Sequence, residues 1–248
     1  MSELRDDARR LDRAAAKQLP AGGPHYTAFV GPPAEYDVMG ATQFRLLTTL
    51  GLRENHRLLD FGCGSLRAGR LLIPYLLPGC YYGLDPTQWL IEDAIANEIG
   101  RELVKLRQPT FWFNDDFAVA FRGVSFDFIL AQSIFSHAGR DLVFKALDEF
   151  RLCLNGGGLI LATFIEPERL GLPDENAGSG WTYPGCVTYR HATVLALARS
   201  AGLVGRPIPW FHPRQTWFVM ARSEADLPAA DDDVHLSGIV LRDASLRP

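Results

Sequence analysis

The chain has 248 residues, 47% of them hydrophobic and 22% charged, enough for one sizeable domain with extensions or at most two small ones. Its net charge of −4 supplies no broad basic field, which disfavours a nucleic-acid or anionic-membrane partner. No apolar run approaches the ~20 residues of a membrane span, the N-terminus has no signal-peptide apolar core, and the four cysteines show no C-x-x-C spacing; the expectation is a cytoplasmic protein with no metal site.

Residues 2–19 are rich in Ala, Arg and Asp and predict an exposed helix, whose Arg5, Arg9, Arg10 and Arg13 alternate with acids as on a solvated face. The Pro and Gly of "PAGGPHYTAFVGPPAEY" predict a loop or lid. Residues 37–50 carry apolar positions at helical spacing, closed by Gly51. Strand and helix patterns then alternate. "RLLDF" is a short buried strand, and residues 65–77 form a helix stopped by Pro78–Gly79. "YYGLD" is a second strand and "PTQWLIEDAIANEIG" a helix ending at Gly100. "TFWFN" and "FDFILAQS" are the third and fourth strands, followed by the amphipathic helix "DLVFKALDEFRLCL". "NGGGLILATFI" is a turn feeding the fifth strand, "YRHATVLALARSAG" a helix, and "LVGRPIPW" and "QTWFVMAR" the last two strands. The tail from Ser223 is polar, with acids at Asp231–Asp233.

This alternation implies an α/β fold, a doubly wound and mostly parallel sheet with helices on both faces. In such sheets ligands bind beyond the carboxyl ends of the strands, so the residues just after each strand are the functional candidates. After the first strand comes Asp60-Phe61-Gly62-Cys63-Gly64-Ser65-Leu66-Arg67. The glycines allow a tight turn and close backbone approach by a ligand. The dinucleotide pattern G-x-G-x-x-G fails at Arg67. An acid at Asp60 repels a pyrophosphate but suits the ammonium of an amino-acid ligand, whose carboxylate Arg67 and Arg70 are placed to balance. Asp85 ends the second strand, 21 positions after Gly64, where a carboxylate accepts hydrogen bonds from ribose hydroxyls. Asp115 or Asp116 is a candidate acceptor for an adenine amino group, with Phe117 packing on the ring, although Asn and Asp also favour plain turns. Gln132, Ser133 and His137 follow the fourth strand. A histidine there serves as a general base or merely fixes a loop. No G-x-S-x-G elbow surrounds Ser133, which argues against hydrolase chemistry.

Taken together, these strand ends resemble the class I S-adenosylmethionine-dependent methyltransferases, from about Leu58 to Arg222. "LLDFGCG" looks like the family's first motif, Asp85 in "YYGLDP" like its ribose-binding acid and "NDDF" like its adenine-binding position. "FDFILAQSIFSH", "LDEFRLCLNGGGLILATF" and "HPRQTWFVMAR" resemble the later motifs in the right order. The resemblance implies a seven-stranded sheet of order 3-2-1-4-5-7-6 with the last strand antiparallel. It also implies S-adenosyl-L-methionine as cofactor, held by Asp60, Gly62, Cys63, Gly64, Arg67, Asp85, Asp115, Asp116, Phe117 and Gln132. The chain departs from the family at Leu66, where the loop often has a third glycine.

Methyl transfer aligns a nucleophile in line with an activated methyl group, and a base such as His137 helps when the acceptor is a hydroxyl. The expected acceptor is a small molecule or a peptide carboxylate, methylated at oxygen. Alternatives are a cofactor-binding partner without catalysis, or a nicotinamide-dependent oxidoreductase. Acceptor contacts are expected from Tyr26, Phe29 and Tyr36 in a lid at residues 25–40, and from Trp181 and Tyr183 in an insertion at 166–189. His25, Glu35, His212 and Arg214 are polar candidates. The expected organisation is an N-terminal helical and lid segment (1–50), a Rossmann-like domain (51–222) and a polar tail (223–248).

Overall fold

The computed structural model describes residues 8–233 and 236. Seven strands form one sheet: β1 (Leu58–Phe61), β2 (Tyr81–Leu84), β3 (Thr110–Trp112), β4 (Phe126–Ala131), β5 (Leu154–Phe164), β6 (Val204–Ile208) and β7 (Thr216–Ala221), in the order β3-β2-β1-β4-β5-β7-β6. Pairs β1–β2, β2–β3 and β4–β5 are parallel, and β7 runs antiparallel to both β5 and β6. The chain divides into two compact units between Asp116 and Phe117.

In the first unit the helices are α1 (Arg13–Ala16), α2 (Tyr26–Phe29), α3 (Tyr36–Thr49), α4 (Gly69–Tyr75), α5 (Gln88–Ala94) and α6 (Arg101–Arg107). Within the described residues the helix expected from composition is interrupted: residues 8 and 9 are helical, the chain turns at 10–12, and α1 starts anew where Asp12 caps Ala15 N–H at 2.8 Å. Residues 2–7 of that expected helix, Arg5 included, lie outside the described residues. Arg9 and Arg13 are partly solvated but are held in ion pairs, while Arg10 is exposed. Arg9 grips Asp93 with two nitrogens (2.8 and 3.0 Å) and covers the Trp89 ring at 4.7 Å, while Arg13 bonds Asp37 at 2.6 Å and pairs with Glu98 at 3.3 Å.

Two other helix boundaries moved. The helix expected at 65–77 begins only at Gly69, since Leu66 takes a left-handed backbone (φ +54°) that no helix interior accepts. After α5 the chain continues as a π-turn at Ile95–Ile99, and Gly100 (φ +83°) breaks it before the unforeseen α6. Tyr26, Tyr36 and Leu90 form a buried cluster, with Phe29, Val30 and Trp89 packed against it.

The second unit holds α7 (Arg140–Cys153) and α8 (His191–Ser200). Strands β4 and β5 are buried along nearly their whole length, as their unbroken apolar runs require. Phe164 of β5 stacks on Phe135 at 5.2 Å and meets Tyr189 and Phe218 edge-on, both at 5.4 Å. The insertion is pinned to the loop after β4. Thr182 N–H donates to His137 O (2.7 Å), Val187 N–H to Ser136 O (2.8 Å), and Tyr189 Oη–H to Ala138 O. Gly139 permits this approach, since a Cβ there would sit 2.5 Å from Ser179 Cα. The start of the polar tail is tied back by Arg206, whose guanidinium bonds both Asp233 oxygens at 2.8 and 2.9 Å; beyond Asp233 only Leu236 is described.

Candidate functional site

In the first unit, the loop after β1 is a cradle closed by two acids. Gly62 (φ +75°) and Gly64 (φ +50°) adopt the left-handed region that glycine enters without penalty. Gly62 and Cys63 N–H both donate to Leu84 O, tying the loop to the end of β2. Asp85 completes the closure: one carboxylate oxygen accepts Gly64 N–H at 2.9 Å and the other accepts Thr87 N–H at 2.8 Å. Burial raises the Asp85 pKa, against the lowering effect of these N–H bonds. A carboxylate has about four acceptor positions, so each oxygen keeps capacity for a ligand hydroxyl.

Asp60 is 4% exposed and accepts the Tyr81 hydroxyl at 2.7 Å on one oxygen, leaving the other for a cationic partner. Burial pushes its pKa up to about 6, opposed by the Tyr81 bond and the Arg67 charge and aided by Asp85. Tyr81 was read only as a strand residue. The signal was its place in β2, since Tyr81 pairs in register with Leu58, two positions before Asp60. Cys63 is buried, and its thiol is held protonated by that burial. Arg67 places Nη1 on Val30 O at 2.9 Å. Arg70, a candidate for balancing a ligand carboxylate, instead bonds Asp37 (2.7 Å) and lies 3.5 Å from Glu98.

The raised Asp60 pKa sets a sign. The stability that goes with a protonated Asp60 is fully present below pH 3.8 and is lost as pH rises through about 6. Asp60→Asn keeps an acceptor for Tyr81 and removes the buried charge. It is expected to raise Tm by about 5 °C at pH 7.5 and hardly at all at pH 4. Thermal melts at the two pH values check this, and an equal shift at both would refute the buried-charge account.

Two lid residues read as acceptor contacts pack against other parts of the first unit. Tyr26 is 3% exposed, and its hydroxyl donates to Glu98 at 2.7 Å. Phe29 packs edge-on to Trp89 at 5.4 Å. Both hold the N-terminal segment in place, as does buried His25, which caps α2 through Thr27 N–H. At the end of β3, Asp115 and Asp116 are exposed, and Asp116 accepts an Asn114 side-chain N–H at 2.7 Å.

In the second unit, Phe117 and Ser133 also carry left-handed backbones (φ +64° and +61°). Such strain in non-glycine residues gathers at ligand sites. Phe117, His137, Trp181 and Tyr183 form one aromatic cluster. Ring centroids lie 6.1 Å apart for Phe117–Trp181, 5.7 Å for His137–Trp181 and 5.1 Å for His137–Tyr183. Trp181 and Tyr183 are 50% and 42% exposed, so their faces are open. His137 Nδ1 lies 2.6 Å from the Gly185 carbonyl, which can only accept. Nδ1 therefore carries a proton, and in the neutral ring the lone pair is on Nε2.

A second, polar cluster collects Gln132, Ser133, Thr163, His212 and Gln215. Ser133 N–H donates to Thr163 Oγ1 (2.8 Å), and Gln215 Nε2 to Ser133 Oγ (3.0 Å). His212 Nδ1 accepts the N–H groups of Arg214 and Gln215 (3.1 and 3.0 Å), and its Nε2 lies 3.2 Å from the Gln132 side-chain amide. Sequence reading had no means to pair Gln132 with His212, 80 positions apart. Among the described residues, no group of His, Cys, Asp and Glu is arranged to hold a metal ion, and no helix is long and apolar enough to cross a membrane.

Residues 59–160 match a family model described as a methyltransferase domain. Solved structures with the same fold include the magnesium protoporphyrin IX methyltransferase from Synechocystis with bound SAH (14% identity, 90% of this chain and 99% of that one, TM-score 0.59). The CcbJ methyltransferase from Streptomyces caelestis is 15% identical over 78% of this chain and 97% of its own (TM-score 0.57). A glycopeptide N-methyltransferase, MtfA, complexed with S-adenosylmethionine is 12% identical over 74% and 94% (TM-score 0.57). The nicotinamide alternative is disfavoured by this domain match and by the acid at Asp60. The strand order is that of these structures, and residues 59–160 carry the match to a methyltransferase domain, with the motif loop and its acid-closed cradle inside it.

Proposed function

We propose that this enzyme methylates a small molecule with an aromatic or otherwise planar body, at an oxygen atom, with His137 as the base. The observation that carries this reading is the His137 cluster. An imidazole whose tautomer is set by the Gly185 carbonyl stands among Phe117, Trp181 and Tyr183, two of them with open faces. Aromatic walls bind flat apolar bodies, and the Nε2 lone pair takes the proton of a hydroxyl or carboxylic acid as it attacks. The names of the structural relatives range from a porphyrin to a glycopeptide methyltransferase, so the argument for the acceptor rests on the site. His212 stays a candidate for the acceptor's polar end.

S-adenosylmethionine supplies a methyl group already activated on a sulfonium sulfur. Asp60 would meet its ammonium, and the backbone at Gly62, Cys63 and Gly64 would admit its methionine end. Asp85 would accept its ribose hydroxyls, and the donor set fits that role: both carboxylate oxygens are held in place by N–H groups with capacity to spare. Arg67, bonded to Val30 O, would act on the cofactor carboxylate only as a charge. Asp115 or Asp116 would receive the adenine amino group. No basic stripe accompanies the aromatics, and a nucleic-acid acceptor is disfavoured.

Calorimetric titration with S-adenosylhomocysteine, with NADH as the control, tests the cofactor half; a panel of phenols, carboxylic acids and amines tests the acceptor half. Methylation of amines alone would overturn the oxygen assignment. Asp85→Ala is expected to lower S-adenosylhomocysteine affinity at least tenfold, about 1.4 kcal/mol. Asp85→Asn should do no better, because its amide N–H₂ would face a backbone N–H. Unchanged affinity in either variant removes Asp85 from the site.

A further inference from the structure

The cofactor loop is held from outside by the segment that precedes β1. Tyr36, 1% exposed at the start of α3, donates its hydroxyl to Ser65 O at 2.8 Å and lies 3.3 Å from Ser65 Oγ, which donates back. One turn on, α3 passes so close that a Cβ on Gly40 would sit 2.4 Å from Arg67 O. Val30 lies against Gly64, and its carbonyl holds Arg67. Between these two fixed carbonyls stands Leu66, fully buried at φ +54°. A residue with a Cβ resists that backbone, whereas glycine enters it freely.

We propose that Tyr36 is a positioning residue for the cofactor: its bond to the Ser65 carbonyl holds the Ser65–Leu66 turn in the shape that a third glycine would take unaided. The inference rests on the cofactor occupying this loop. The Tyr36 ring is itself fixed, with the Arg13 and Arg70 guanidinium groups 5.4 and 5.2 Å from its centre and Tyr26 edge-on at 6.1 Å. Burial pushes its hydroxyl pKa up to about 12, so it remains a donor throughout the working range. Without that bond the turn is free to relax away from the left-handed region, and the amides and acids that meet the cofactor lose their registration.

The test compares the full-length wild type with Tyr36→Phe, Leu66→Gly and the double variant, reading S-adenosylhomocysteine affinity, Tm and amide hydrogen exchange at residues 62–68. Tyr36→Phe is expected to weaken affinity about tenfold and speed exchange in the loop. Adding Leu66→Gly is expected to recover most of the affinity while lowering Tm further, because a buried leucine is lost. A merely structural tyrosine would make affinity follow stability, and the double variant would bind worse than Tyr36→Phe. That result, or a Tyr36→Phe protein with wild-type affinity and exchange, overturns the proposal. If the double variant does not fold, affinity and loop exchange of Tyr36→Phe decide alone. A wild type that binds no S-adenosylhomocysteine would instead overturn the cofactor placement, and the exchange comparison would still decide whether Tyr36 holds the turn.

Discussion

Gly64→Ala is expected to lower S-adenosylhomocysteine affinity by about 100-fold, the largest effect of any single change in the cofactor loop. Two independent costs combine. The backbone at Gly64 is left-handed, where an added Cβ is strained by about 1–2 kcal/mol. The new methyl would also stand 2.7 Å from Val30 Cγ1, so either the loop or the N-terminal segment must move. Since Gly64 N–H is the donor to Asp85, moving the loop also disorganises the ribose-binding acid. Together these reach the 2.7 kcal/mol or so that a 100-fold change represents. The two costs separate in the double variant Val30→Ala/Gly64→Ala. Removing the Val30 methyls relieves the contact but not the backbone strain, so affinity should recover only in part. Full recovery would mean that the left-handed backbone is unimportant, and wild-type affinity in Gly64→Ala alone would place the cofactor elsewhere.

His137→Ala is expected to lower turnover about 100-fold with the acceptor found in the panel, as for loss of a general base. S-adenosylhomocysteine affinity should stay within twofold of wild type. The split follows from the geometry. The bond from Nδ1 to Gly185 O fixes which nitrogen is basic, and the ring belongs to the cluster with Trp181 and Tyr183 that is proposed to meet the acceptor. None of the acids of the cofactor cradle is among these contacts. His137→Gln is an informative companion, because it retains a polar side chain of similar reach without a base. Unchanged turnover in both variants would show that the acceptor is attacked as a preformed anion and that alignment suffices. A loss confined to KM would make His137 a binding residue.

The acid at Asp60 and the acid at Asp85 illustrate two kinds of legibility. Both stand at strand ends that apolar patterning marks clearly, and an acid at such an end has few structural reasons to be there. Neither reading depended on knowing a partner. The same patterning placed all seven strands within a few residues of their observed limits, because a strand buried on both faces has no polar alternative to alternate with. The glycine turn was visible for the same local reason: a sharp strand-to-helix turn with close backbone approach needs residues without Cβ.

The sequence by itself therefore determined the strands, the glycine loop after the first of them and the acids beside it, since each follows from interactions within a few residues along the chain. What surrounds those acids was decided only by tertiary structure. Tyr81 on Asp60, Tyr36 on Ser65, Val30 against Gly64 and Gln132 beside His212 join residues 21 to 80 positions apart. Burial of Tyr26 among Tyr36 and Leu90, and the pairing of Arg9 and Arg13 with acids of α3, α5 and the π-turn, likewise join side chains that had been judged from their neighbours in sequence. A lid rich in aromatics and arginines has the same composition whether it faces solvent or packs down. Only the shape of the surface beneath it, here a loop with a left-handed leucine, selects between the two.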